Sequence, residues 1–187
     1  MQALFKHTGL RIFLMVTLGF FASASITLAE TPPLSTVSQL DLNHYLGRWH
    51  QVAFIPNRYQ ARCVGDTTAI YARTASGVIS VTNRCRTSSG QYDQVTGEAR
   101  IQKRWKNPAI LEVRFAPKWL EFLPFVWGDY WVMAIEPDYS AALVGSPDRK
   151  VLWILARQPT LKDEVYKRFI DVAAREGFAV RSVQRTY

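Results

Sequence analysis

The stretch L-G-R-W-H-Q-V-A-F-I at residues 46–55 opens a long series of β-type runs and decides the fold. Seven similar runs follow it at intervals of about 10–20 residues, separated by turn residues such as Gly, Pro, Asn and Asp. The eight predicted strands cover residues 49–55, 67–72, 78–83, 94–101, 110–115, 130–135, 141–145 and 151–156. Because no helical pattern interrupts them, they predict an antiparallel meander. Closure into an eight-stranded up-and-down β-barrel removes the unpaired edges and leaves room for one small ligand.

One helix is predicted after the strands. Thr160 is expected as its N-cap, and Asp163 stands in the capping-box position. Apolar residues then recur at helical spacing on one face, and charged residues occupy the other. Gly177 is expected to end the helix, and a short strand over residues 178–183 is expected to follow it. The predicted fold class is therefore all-β, with one C-terminal α-helix packed on the outside of the barrel.

Residues 1–29 have the layout of a secretory signal peptide. Lys6 and Arg11 precede an apolar run over 12–22, and small residues follow that run. The run is shorter than the roughly 20 apolar residues that a spanning helix needs, which favours a cleaved leader over the alternative of an uncleaved membrane anchor. Cleavage is expected after Ala29, with Ala24 as the alternative site. Residues 30–187 then form a single domain.

The composition excludes several classes of protein. A chain of 187 residues with 48% hydrophobic and 20% charged residues is neither disordered nor a collagen or coiled coil. The net charge of +8 falls to +6 without the leader, which holds two basic residues and no acidic one. Such a charge favours contact with anionic lipid. The basic residues are interspersed with acids and form no recognition motif, so no nucleic-acid partner is expected.

Cys63 and Cys85 are the two cysteines of the chain. In an exported protein a disulfide between them is the default expectation, with about 3 kcal/mol of stabilisation, and two buried free thiols are the alternative. After the leader only His44 and His50 remain as histidines, and no nucleophile-elbow, zinc or phosphate-loop motif occurs. No enzyme activity, metal site or cofactor is therefore predicted.

These residues resemble the lipocalin family. The motifs are G-x-W at 47–49, Asp138-Tyr139 before the seventh strand, and Arg157 after the eighth, within the runs 48–59 and 142–159. The resemblance covers about Leu40 to Val183 and is strongest to the bacterial outer-membrane lipoprotein branch, which groups with apolipoprotein D and the plant temperature-induced lipocalins. It implies structural roles for the motif residues, with Trp49 closing the base of the barrel beneath Arg157. These residues are Gly47, Trp49, Asp138, Tyr139 and Arg157.

The resemblance also implies a location and a ligand. Bacterial members are lipoproteins, but no Cys follows the apolar run here, so no lipid anchor is expected. We expect an exported protein in the periplasm, or peripherally attached to the outer membrane, of a Gram-negative bacterium. The implied ligand is a fatty acid or lysophospholipid, carried or stored for envelope maintenance.

Alternation along the strands suggests which side chains line the barrel. If Trp49 points inward, Gln51 and Ala53 are expected to do so as well. An outward position is the alternative for each of the predicted ligand contacts, which are Tyr71, Val81, Asn83, Val113, Tyr130 and Trp153. Each CH₂ of a lipid chain buried there would contribute about 0.8 kcal/mol.

The connection P-K-W-L-E-F-L-P-F-V-W-G at residues 117–128 is too apolar for an ordinary turn. In an up-and-down barrel it lies at the mouth, away from the Trp49 base. We predict that it docks on a membrane or a protein partner. A lid over the mouth and a homodimer contact are the alternatives. The apolar residues that carry this prediction are Trp119, Leu120, Phe122, Phe125 and Trp127.

Overall fold

Nine antiparallel strands and two α-helices are found in residues 32–186, the part of the chain that the computed structural model describes. The predicted signal peptide, residues 1–29, lies outside this range. The helices are α1 (Leu42–Tyr45) and α2 (Asp163–Arg175). The strands are β1 (Gly47–Phe54), β2 (Cys63–Arg73), β3 (Ile79–Thr87), β4 (Tyr92–Ile101), β5 (Ile110–Arg114), β6 (Trp127–Ile135), β7 (Ala141–Gly145), β8 (Leu152–Ala156) and β9 (Gln184–Arg185).

The predicted eight-stranded barrel is confirmed. Each of β1 to β8 pairs with its neighbour in the chain, and β1 also pairs with β8, which closes the sheet. The turns after β2, β4 and β6 lie at the same end as α1, which we call the base. The connections after β1, β3, β5 and β7 lie at the opposite end, which we call the mouth.

The predicted strand over 178–183 is wrong. A turn of 3₁₀ helix occupies Val180–Ser182, and the strand β9 begins only at Gln184. The reason is where β1 has a free edge. Since β2 pairs with β1 only as far as His50, the β2-facing edge at Ala53 and Phe54 is open, and β9 pairs there.

The expected N-cap of α2 is also wrong. Lys162 is the N-cap residue and makes no side-chain capping bond, so Thr160 lies outside the helix. The carboxylate of Asp163 instead accepts a hydrogen bond from Arg185 Nη2 at 2.7 Å. Contact with the C-terminal strand thus takes the side chain that the capping box would have used.

Two apolar clusters hold the barrel together. An inner cluster fills the base half of the barrel around Trp49 and Val132. An outer cluster packs Leu143 and Ile154 of the barrel wall against Phe169 and Ala173 of α2. The predicted position of the helix on the outside of the barrel is therefore confirmed. The four-residue spacing of Phe169 and Ala173 puts both on one helix face.

A β-bulge in β1 changes which residues face inward. The pairing with β8 shifts register between Gln51 and Ala53, and both Val52 and Ala53 belong to the outer cluster. The expectation that Ala53 points inward with Trp49 is therefore wrong. An extra residue in one strand breaks the alternation of faces, so every position beyond it changes phase.

The base of the barrel is closed by Trp49 and Arg157. The Trp49 ring is fully buried, and its Nε1 donates to the carbonyl of Tyr45 at 2.8 Å. Arg157 Cζ lies 3.8 Å from the ring centroid. The same guanidinium donates to the carbonyls of His44, Arg48 and Tyr139, at 2.6, 2.9 and 3.3 Å. One side chain therefore joins α1, β1 and the β6–β7 turn.

Gly47 and the β6–β7 turn leave room for this arrangement. Gly47 has φ +96°, and a Cβ there would lie 3.3 Å from Arg157 Nη1. Glycine therefore avoids both backbone strain and contact with the guanidinium. In the turn, the Asp138 carboxylate accepts from the Ser140 N–H at 3.0 Å, and the Tyr139 hydroxyl accepts from the Asp41 N–H at 2.9 Å. The turn thus holds the segment before α1 in place.

The predicted disulfide between Cys63 and Cys85 is confirmed, and neither residue is a free thiol. The bond joins the start of β2 to the end of β3, 22 residues apart in sequence. It holds the mouth end of this hairpin together. Within residues 32–186, none of the helices has the length and apolar content needed to cross a membrane.

Replacing Arg157 with alanine is expected to lower the free energy of unfolding by about 2–4 kcal/mol, because three backbone carbonyls lose a charged donor and the Trp49 ring loses its cation. Urea unfolding monitored by tryptophan fluorescence measures this loss. Arg168→Ala is the control, since Arg168 makes an exposed ion pair with Glu136 that contributes about 1 kcal/mol or less. Equal losses in the two variants would contradict the assigned role of Arg157.

Candidate functional site in the barrel interior

The base half of the barrel is nearly filled by side chains. The cavity that remains has a volume of about 10 Å³, close to what one water molecule needs. Residues from α1 and from strands β2 to β6 line it, with no charged side chain among them. They are Leu42, Tyr45, Leu46, Tyr71, Ile79, Ala99, Leu111, Val113 and Tyr130.

Three tyrosines that line this cavity join their hydroxyls to one another within the barrel. Tyr71 donates to the Tyr130 oxygen at 2.9 Å, and the Tyr45 and Tyr130 oxygens share a second hydrogen bond at 2.7 Å. The residues come from distant parts of the chain, α1, β2 and β6. We call them the tyrosine trio. They make a polar group at the closed end of an otherwise apolar interior.

Burial keeps the tyrosine trio protonated. Loss of hydration raises the pKa of Tyr71 to about 12. The pKa values of Tyr45 and Tyr130 are raised well above 10 for the same first reason. Both neighbouring phenols raise the pKa of Tyr130 further, whereas Tyr71 raises the pKa of Tyr45 and the hydrogen bond with Tyr130 lowers it. At neutral pH all three groups are therefore neutral hydroxyls that can donate hydrogen bonds.

The mouth half of the barrel is open, in contrast to the base. Val95 lies directly opposite Asn83 in the sheet, on the face that Val81 and Ala99 present to the inner cluster. Its side chain is nevertheless 45% exposed. Gly97, next on the same face, lies against Phe115, whose Cδ1 would be 2.7 Å from a Cβ at that position. Solvent therefore reaches the inner wall at Val95 from the mouth, where a ligand can enter.

A glutamine from the β1–β2 connection reaches into the mouth. Gln60 lies in a 3₁₀ turn, and its Nε2 donates to Gln51 Oε1 at 2.5 Å. Its Oε1 accepts from Trp153 Nε1 at 2.8 Å and from Asn57 Nδ2 at 3.2 Å. These hydrogen bonds attach the β1–β2 connection to side chains of two barrel strands, β1 and β8.

All six predicted ligand contacts lie on the inner face of the barrel. Tyr71, Val81 and Tyr130 are buried in the inner cluster, and Val113 and Trp153 pack partly buried against it. Asn83 follows on the same face of β3, and its Oδ1 is buried without a hydrogen-bond partner. Contact of these residues with a ligand stays a prediction.

Two interior residues were missed by the sequence analysis, Tyr45 and Gln60. Tyr45 precedes the first strand, in a four-residue helix too short to show periodicity. Gln60 lies in a loop, where a polar residue is ordinary. To find them, one would have to recognise that the segment before the first strand and the loop after it each send a side chain into the barrel. No local pattern indicates this.

The apolar connection between β5 and β6 faces solvent. Trp119, Phe122 and Phe125 are 73%, 74% and 79% exposed, whereas Leu120 is partly buried. Trp127 begins β6 at the end of this connection, with Arg100 Cζ 3.7 Å from its ring centroid. These exposures place the three aromatic rings outside the barrel, so they do not cover its mouth as a lid.

Residues 32–186 contain no group of three His, Cys, Asp or Glu side chains placed to hold a metal ion. His44 lies at the base, where its Nδ1 is 3.2 Å from the exposed Asp41 carboxylate. His50 lies on β1, and partial burial lowers its pKa. The barrel interior is therefore the concave site that the described residues offer.

The tyrosine trio is expected to make the protein unstable in alkali. An unfolded tyrosine has a pKa of about 10, so the unfolded chain loses protons before the native trio does. The trio's contribution to the free energy of unfolding is therefore complete below about pH 10. It falls as pH rises towards 12, by about 1.4 kcal/mol per pH unit for each phenol that stays protonated. Urea midpoints at about pH 9 and about pH 11 measure the fall.

The triple variant Tyr45→Phe/Tyr71→Phe/Tyr130→Phe is the comparison for this experiment. Its midpoint should change less between the two pH values, because its interior has no proton to lose. An equal change in both proteins would show that the trio does not contribute.

Comparison with known proteins agrees with this geometry. The family model of the Lipocalin-like domain matches residues 40–187. Temperature-induced lipocalin-1 of Arabidopsis thaliana is 36% identical over 160 residues, which cover 85% of each chain. Outer membrane lipoprotein Blc of Escherichia coli K12 is 37% identical over 155 residues, covering 81% of this chain and 82% of Blc.

Among solved structures, insecticyanin from Manduca sexta matches with a TM-score of 0.63 at 19% identity, covering 84% of this chain and 86% of that one. At this identity the likeness concerns the fold alone. Lipocalins generally bind or transport small hydrophobic molecules. With a matching domain over most of its length and relatives above one-third identity, this chain belongs to the lipocalin family.

Proposed function

We propose that this protein carries or stores a lipid with one acyl chain, a fatty acid or a lysophospholipid, for maintenance of the cell envelope. The observation that carries the proposal is the half-open interior, where Val95 is exposed although it faces inward, above a base closed by Trp49. An apolar wall of this kind binds an acyl chain through burial alone, at about 0.8 kcal/mol per CH₂.

The charges around the interior favour a lipid with its headgroup at the mouth. The cavity at the base has no charged lining, so an ionised headgroup there would be unpaired and costly. Charged groups are exposed at the mouth, where Arg62 and Lys150, with side chains 80% and 83% exposed, form ion pairs with Asp93 and Asp148. A carboxylate or phosphate at that end would remain hydrated and among polar groups.

The relatives support a role in the envelope. Blc carries the name of an outer membrane lipoprotein, and family members are typically carriers rather than enzymes. Export by residues 1–29 would put this chain in the periplasm, or on the outer membrane as a peripheral protein.

Binding inside the barrel is tested by filling its open half. Asn83→Trp places an indole on the inner face beside Val95. This variant is expected to bind a fluorescent fatty acid about tenfold or more weakly than wild type does. Thr82→Trp is the matched control. Thr82 directly precedes Asn83 in the same strand and faces outward, so this variant should leave binding unchanged. Native mass spectrometry of purified protein should also show a lipid of defined mass.

Failure of wild type to bind the fluorescent fatty acid would contradict the proposed carrier role. Equal loss in both tryptophan variants would place the lipid outside the barrel.

A second role is favoured by the exposed aromatic residues of the β5–β6 connection. We propose that Trp119, Phe122 and Phe125 dock the mouth on an anionic lipid bilayer. Three large apolar rings in one exposed connection are unusual for a protein surface, and Trp favours the headgroup region. The net charge of +6 without residues 1–29 complements an anionic surface, whereas Lys118 and Glu121 in the connection itself balance each other. Such docking would present the open barrel to the membrane that holds its ligand.

Co-sedimentation with vesicles containing phosphatidylglycerol tests this docking. Trp119→Ser/Phe122→Ser/Phe125→Ser is expected to lower the bound fraction by about tenfold or more, since three apolar anchors are lost. The control Trp105→Ser removes an exposed tryptophan at the base of the barrel and should bind as wild type does.

Two results would count against a membrane role. In the first, the triple serine variant sediments like wild type. In the second, wild type does not bind the vesicles but forms a dimer, and the triple serine variant stays monomeric, which would identify a homodimer contact.

A further inference from the structure

The packed base and the open mouth meet at a sharp boundary on the inner wall of the barrel. On β3, Val81 is 2% exposed, whereas Asn83, next on the same face, is partly exposed. On β4, Ala99 is 3% exposed, whereas Val95 is 45% exposed. Because Asn83 pairs directly with Val95, the open part of the wall begins at the same height on both strands.

Strand β6 shows the same boundary. Tyr130 is buried, and Gly128 lies two residues nearer the mouth on the same face. Gly128 is exposed, and a Cβ added there would meet only the carbonyl oxygen of Val113, at an ordinary contact distance of 3.8 Å. Space for a ligand therefore begins on the mouth side of Tyr130.

The tyrosine trio forms the floor of this space. The hydroxyls of Tyr71 and Tyr130 are 2.9 Å apart, and the Trp153 ring stacks on the Tyr130 ring with centroids 6.4 Å apart. Trp153 is held in turn by its hydrogen bond to Gln60. The cavity of about 10 Å³ below these rings holds no more than a water-sized group. An acyl chain that enters from the mouth therefore stops at the trio.

The space above this floor is shallow. From Asn83 to Thr87, the last residue of β3, the strand advances four residues, or about 13 Å at about 3.3 Å per residue. A strand tilt of about 40° reduces this to about 10 Å along the barrel axis. Because a C–C bond of about 1.5 Å advances an extended chain by about 1.3 Å, about eight carbons fill this depth.

We infer that the tyrosine trio limits the length of acyl chain that the barrel buries to about eight to ten carbons, so that affinity stops rising for longer chains. The inference rests on the proposed lipid-carrier function and specifies its ligand as a medium-length chain, or the terminal part of a longer one. In a longer lipid, the carbons next to the headgroup remain at the mouth and add little to binding.

A series of fatty acids tests this limit. Even-numbered acids from hexanoic to hexadecanoic are compared in displacement of a fluorescent fatty acid, each below the concentration at which it forms micelles. Wild type is expected to bind about fourfold more tightly for each carbon added up to about decanoic acid, because each of these CH₂ groups is buried. From decanoic to hexadecanoic acid, the affinity is expected to rise by less than about tenfold in total.

Two variants move the floor in opposite directions. Tyr130→Ala removes one ring of the trio and is expected to extend the rise in affinity by about four carbons. Gly128→Val fills space above Tyr130 without a close contact and should end the rise about two carbons earlier. Tyr92→Ala is the control, because it removes an exposed ring outside the barrel and should keep the wild-type limit.

Circular dichroism checks that each variant is folded. Gly128→Val leaves every ring of the floor in place, so it tests the limit even where Tyr130→Ala does not fold.

The outcomes separate this inference from the carrier function. If the affinity of wild type rises by more than about tenfold between decanoic and hexadecanoic acid, the base opens for the chain. The inference is then overturned while the carrier function stands. A limit that stays at the wild-type length in either folded floor variant also overturns it, because the floor then lies elsewhere. If no acid binds wild type, both proposals fail.

Discussion

The contact between Arg157 and Trp49 is the constraint on which the rest of the structure depends. The guanidinium covers the indole and at the same time donates to carbonyls of α1, β1 and the β6–β7 turn. A barrel of eight strands has two open ends, and this group closes one of them. With the base closed, side chains there pack densely and the mouth becomes the one route into the interior that the described residues leave open.

Closure at one end makes the two ends of the interior chemically different. The base holds the tyrosine trio, whose burial keeps the phenols neutral by raising their pKa values. The mouth has an exposed inner wall, amide contacts around Gln60 and ion pairs on the rim. A lipid with a charged head and an apolar chain matches this order in one orientation. The exposed rings of the β5–β6 connection lie at the same end, so docking and loading would involve the same surface.

Prediction from sequence succeeded where the cause is local. Alternating apolar residues and turn residues predicted the eight barrel strands, and one apolar face predicted α2. It failed where a contact from a distant segment decides the outcome. Pairing of β9 with the free edge of β1 moved the last strand, and Arg185 occupies the Asp163 carboxylate that the capping box required. The bulge at Gln51 reversed the face of Ala53, because the register of β1 is set by β8.

The amino-acid sequence by itself determined the family, the barrel and the disulfide between Cys63 and Cys85, because motifs, period-two alternation and cysteine number are properties of short segments or simple counts. The tertiary structure alone decided how the interior is divided between a packed base and an open mouth. The tyrosine trio joins residues from α1, β2 and β6, up to 85 positions apart. No local pattern encodes such a meeting, since it exists only once the strands have closed around a common axis.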